Sequence, residues 1–98
     1  MLEGLQSGRD KALDAEAKVM LAEALEATGN PDRAAKLLEE LAAPTKGAAY
    51  PQDAALILLA RLRERQGKKE DAKRVYADLI ARFPQSPFAA DAKLKNAD

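Results

Sequence analysis

Ninety-eight residues with sixteen basic and sixteen acidic side chains carry no net field to steer the protein toward nucleic acid or an anionic membrane. Cysteine and histidine are both missing, which removes disulfides, thiol nucleophiles and imidazole bases or ligands together. Apolar residues at 47% and aromatics at only 4% describe one helix-rich domain, large enough for a core but not for a deep pocket beside it.

In chain order, Met1 to Arg9 shows little periodicity around Gly4 and Gly8 and is expected to be a flexible lead; it also lacks the apolar segment of a signal peptide. From Asp10, the set Leu13, Ala17, Leu21, Ala24, Leu25 and Thr28 recurs at three- and four-residue steps, the pattern of an amphipathic helix. Gly29 stops it. Asn30-Pro31 then opens a second helix, with asparagine as the expected cap and proline at the first position, and Ala34, Leu37, Leu38 and Leu41 form its stripe. Pro44, Lys46 and Gly47 break the pattern before Tyr50-Pro51.

A third helix is predicted from Gln52 to Gln66 with Leu56, Leu59, Ala60 and Leu62 inward, and Ile57 and Leu58 widening that face. Gly67 ends it. The fourth carries Ala72, Val75, Tyr76, Leu79, Ile80 and Phe83 up to Pro84. Ser86-Pro87 repeats the cap-plus-proline signal and starts a fifth helix through Phe88, Ala92 and Leu94. The expected division is a lead over 1–9, hairpin one over 10–43, hairpin two over 52–83 and a terminal helix over 87–97.

The residues around the two glycines resemble the tetratricopeptide repeat. Leu59, Ala60, Gly67, Ala72, Tyr76 and Pro84 match its pattern at the family's spacings, and Leu21, Ala22, Leu25, Gly29, Ala34 and Leu38 match it without an aromatic at Lys18 or a closing proline. The small residues Ala22 and Ala34, and Ala60 and Ala72, would let paired helices approach closely. The glycines lie 38 residues apart against a usual period of about 34, which puts four extra residues in the Pro44 to Tyr50 loop. The resemblance implies an all-α fold: tandem antiparallel helix hairpins, a fragment of an α-solenoid, closed by a terminal capping helix. The junction Arg82 to Lys95 is also similar to repeat junctions in bacterial envelope proteins. Absent cysteines suit the periplasm as well as the cytoplasm.

By resemblance, function is non-catalytic protein or peptide binding in a groove formed by the first helices of successive hairpins. Those positions hold Glu16, Val19, Glu23 and Glu26 on the first helix and Ile57, Arg61, Glu64 and Arg65 on the third. The family's carboxylate clamp is not expected, because Val19, Glu23, Leu58 and Ala54 at the matching positions cannot donate to a carboxylate. Seven cations between Arg61 and Arg74 form a second candidate surface, interrupted by acids and lacking the exposed aromatics that nucleic-acid binding uses. Glu39-Glu40 and Glu70-Asp71 cannot each converge on one site, since adjacent helical residues point about 100° apart. No phosphate loop, metal spacing or nucleophile-base pair is present, so no cofactor is expected, and no stretch approaches the roughly 20 apolar residues of a membrane span.

The halves differ in charge: residues 1–50 carry six basic and nine acidic side chains, residues 51–98 ten and seven. Two repeats are also fewer than the roughly three usually needed for stability. The alternative expectation is therefore self-association, as a homo-oligomer or as an assembly domain of a larger, membrane-anchored envelope protein.

Overall fold

Two glycines set the topology. A computed structural model describes residues 8–44 and 50–96, with side chains from residue 14 onward in the first stretch; the lead at 1–7, the side chain of Leu13 and the loop at 45–49 lie outside the described residues. Five helices follow in order: α1 (Gly8–Ala27), α2 (Pro31–Ala42), α3 (Gln52–Arg65), α4 (Lys69–Arg82) and α5 (Pro87–Asn96). Each packs on the next, and α3 also touches α5.

Both tight turns are Schellman closures. Gly29 and Gly67 adopt φ of +88° and +80°. At the first, Asn30 N–H donates to the Leu25 carbonyl (2.7 Å) and Gly29 N–H to Glu26 (3.2 Å); at the second, Lys68 N–H donates to Arg63 and Gly67 N–H to Glu64, each at 2.9 Å. These bonds satisfy the carbonyls that a helix end leaves without partners. A Cβ at Gly67 would meet nothing within 4 Å, so its requirement is conformational rather than steric. Gly67→Ala is expected to cost about 1 to 2 kcal/mol and Gly67→Val more, because branching worsens the left-handed conformation. Equal urea midpoints for the two variants would contradict this assignment.

The caps divide. Ser86 Oγ accepts the Phe88 N–H at 3.1 Å and caps α5 as its sequence predicts. Asn30 does not cap α2 with its side chain: its N–H is engaged in the Schellman closure, and its amide is turned back to Thr28 Oγ1. The far end of α2 has no glycine. Arg82 donates to the Ala42 carbonyl at 3.0 Å, and Gln52 Nε2 donates to Ala43, so hairpin two caps hairpin one.

Small residues govern packing as expected. Ala22 and Ala34 share one buried cluster with Ala35, Leu38, Leu59 and Leu62; Ala60 and Ala72 share another with Leu56, Ile57, Tyr76, Leu79 and Ala92. Several expected inward positions are not inward. Leu21 is 50% exposed and Leu94 73%, and Ala17 and Ala24 are also exposed. Among the described residues, α2 is the main neighbour of α1, which also meets α3 through Ala22 and the Glu26–Arg65 pair and buries only Ala15 and Ala22 fully; a helix with one main neighbour buries a narrower stripe than its periodicity offers. In α5 the inward pair is Ala89 and Ala92.

Candidate functional site

Between α1 and α3 runs a cleft of about 180 Å³. Its floor is apolar, from Val19 and Ala22 on α1, Leu38 on α2, and Leu58 and Leu62 on α3; Glu23 and Glu26 stand on one rim, Arg61 and Arg65 on the other. The turn glycines bring these residues together by folding each hairpin back, so that α1 and α3 lie on the same side of the molecule.

The rim charges are largely engaged. Arg65 holds Glu26 with two parallel bonds, Nε to Oε2 at 2.5 Å and Nη2 to Oε1 at 2.6 Å. That fork geometry lowers the Glu26 carboxyl pKa, chiefly through the hydrogen bond and against partial burial, and raises that of Arg65. Arg61 Nη2 turns to Asp91 of α5 at 3.2 Å. Glu23 has no cation within ion-pair distance among the described residues. The cleft therefore presents an apolar floor beside one unpaired carboxylate.

The Glu26 pair gives a pH signature. Because its pKa is depressed in the folded state, its stabilisation is complete above the unfolded carboxyl range, near pH 4.3, and is lost as pH falls through the lowered value. With Arg65 half exposed, the pair is worth no more than about 1 kcal/mol. The stability gap between wild type and Glu26→Gln, measured by urea unfolding, should close on acidification. A gap independent of pH would contradict the pairing.

Of the eight groove positions expected from sequence, Val19, Glu23, Glu26, Arg61 and Arg65 line this cleft. Ile57 does not. It is 2% exposed and packed in the cluster that contains Tyr76 and Ala92, with Phe88 against it, because α5 covers that side of α3. Glu64 faces a separate recess with Tyr76 and Lys95, where it accepts the Tyr76 hydroxyl at 2.7 Å. Glu16 is exposed and outside the lining. The apolar floor residue next to the misassigned position is Leu58, and the two adjacent aliphatics were the signal that one of them faces the cleft.

The basic stretch is mostly neutralised. Arg63 meets Glu39 at 3.0 Å, Lys68 meets Asp32 at 3.5 Å and Arg74 meets Asp71 at 3.0 Å. With Glu26–Arg65, three of these carboxylate–cation pairs join an acid of hairpin one to a base of hairpin two. The opposite charge of the two halves is thus used inside the chain. No group of three or more acidic side chains fit to hold a metal occurs among the described residues, and no described helix is long and apolar enough to cross a membrane.

Comparison with known families matches tetratricopeptide-repeat models to residues 19–49 and 54–86, one on each hairpin. The chain belongs to the tetratricopeptide-repeat family. The matched segments together span well over half of it and coincide with the two glycine-centred hairpins, and repeats of this family generally mediate protein–protein interaction. No curated protein and no solved structure matches the chain, so no relative stands behind the envelope-like junction at Arg82 to Lys95.

Proposed function

We infer that this tetratricopeptide-repeat chain is a non-catalytic interaction module that takes a peptide segment of a partner protein in the α1–α3 cleft. The observation that carries this is the cleft itself, an apolar floor between charged walls contributed by both repeats. At about 180 Å³ it is smaller than the roughly 300 to 1,000 Å³ of small-molecule sites, but it accommodates one or two apolar side chains of a peptide. The unpaired Glu23 favours a cation beside the apolar anchor, and the engaged Arg61 and Arg65 disfavour an acidic ligand.

The test is site-specific photo-crosslinking in the source cell, with a photoreactive residue at position 23 or, as a comparison, at position 73 on the exposed side of α4. A discrete adduct from position 23 alone supports the cleft. Adducts from position 73 alone would place recognition on the basic surface instead.

A further inference from the structure

The two hairpins present equivalent faces that are covered unequally. Leu59, eight residues before its turn glycine, is 5% exposed, whereas Leu21, eight before its own, is 50% exposed. Eight residues after the glycines stand Val75 and Leu37. In hairpin two, α2 covers this face: Leu59 shares a buried cluster with Ala34, Ala35 and Leu38, with Val75 packed against it. Around that contact α2 supplies carboxylates to cations, Glu39 to Arg63 and Asp32 to Lys68.

In hairpin one, Leu21, Leu25 and Leu37 form a shallow apolar recess rimmed by Arg33, Lys36 and Glu40. None of the five helices packs over it. Glu40 lies 4.0 Å from Lys18, while Arg33 and Lys36 have no carboxylate within ion-pair distance among the described residues. The rim is therefore net cationic. A second copy is poorly suited to it: its α2 is already occupied by hairpin two, and the exposed Leu94 of its α5 stands between Lys93 and Lys95, which like charge would repel.

We propose that the outer face of hairpin one docks an amphipathic helix of another protein, one with a row of Leu and Ala flanked by carboxylates. The internal α2 contact shows how a helix covers such a face; the hairpin-one positions equivalent to Arg63 and Lys68 are Leu25 and Asn30, so the preference for carboxylates comes from the Arg33 and Lys36 rim. The face is distinct from the α1–α3 cleft, so the two can be occupied together.

The test uses the full ¹⁵N-labelled chain and a helix-stapled peptide copying residues 30–43, with Arg33→Gln and Lys36→Gln in the peptide to leave it acidic. Amide shifts should centre on Leu21, Leu25 and Leu37. In the protein, Leu21→Lys, and separately Arg33→Glu with Lys36→Glu, should each weaken binding by roughly tenfold or more, equivalent to about 1.4 kcal/mol, with circular dichroism unchanged. A peptide carrying lysine in place of Asp32, Glu39 and Glu40 should bind correspondingly less well. Absence of binding at millimolar peptide, or shifts centred on Val19 and Glu23, would overturn the proposal. So would a dimer in sedimentation that Leu21→Lys dissolves, or Overhauser contacts from residues 1–7 to the Leu21 methyls, since either would identify a different occupant.

Discussion

Ile57→Asp is expected to unfold the domain rather than to probe its surface. Ile57 is 2% exposed and sits among Leu56, Ala60, Tyr76, Leu79 and Ala92, so aspartate there would be a buried charge with no partner. Leaving such a charge unpaired costs about 3 to 5 kcal/mol, to which the lost burial of an isoleucine adds roughly 1.5 to 3. The whole stability of a small domain is about 5 to 15 kcal/mol. Far-ultraviolet circular dichroism should show loss of helix, or a melting midpoint far below wild type. A midpoint close to wild type would mean that α5 does not cover α3 as described.

Tyr76→Ala is expected to be nearly as damaging, at about 3 to 5 kcal/mol, the range for deleting a large buried aromatic and leaving its cavity. The ring is 1% exposed, in contact with the core formed by α3, α4 and α5. Burial first, and then the hydrogen bond to Glu64, hold its phenol pKa well above the usual range. Tyr76→Phe separates the two contributions. It keeps the ring and removes only the hydroxyl, whose partner Glu64 lies at the exposed edge and can be rehydrated, so its cost should be about 0.5 to 1.5 kcal/mol. Chemical denaturation of the three proteins checks this order. A Phe variant as unstable as the Ala variant would show that the hydroxyl, not the ring, dominates.

The features legible in the sequence were local ones. Gly29 and Gly67 between helical patterns announce turns, and both have positive φ. The alanines at fixed distances from them lie in the core. Helical periodicity, however, tells which residues share a face and not how many neighbours that face meets. Leu21 belongs to the stripe of α1 but nothing described packs over it, while Ile57, read as facing a groove, is covered by α5, a helix that resembled only a solvent-facing cap. Residues 57 and 58 are both aliphatic, so burial could not be apportioned between them without the position of α5. Contacts far apart in sequence were illegible for the same reason: Arg65 to Glu26 and Arg82 to the Ala42 carbonyl depend on how one hairpin is set against the other.

Recognition in the α1–α3 cleft is tested with least disturbance by Val19→Asp. Val19 is only half-buried on α1 and lines the cleft floor; a carboxylate there removes an apolar contact and adds like charge beside Glu23. A peptide selected from a random library against the wild-type chain would be titrated calorimetrically against Val19→Asp and against Lys69→Glu with Lys73→Glu, each first shown to fold. The cleft variant should lose about 1 to 3 kcal/mol of binding free energy, and the lysine variant should change mainly the salt dependence. Binding that survives Val19→Asp and is lost with the lysine pair would contradict the cleft and assign recognition to the basic face of α4.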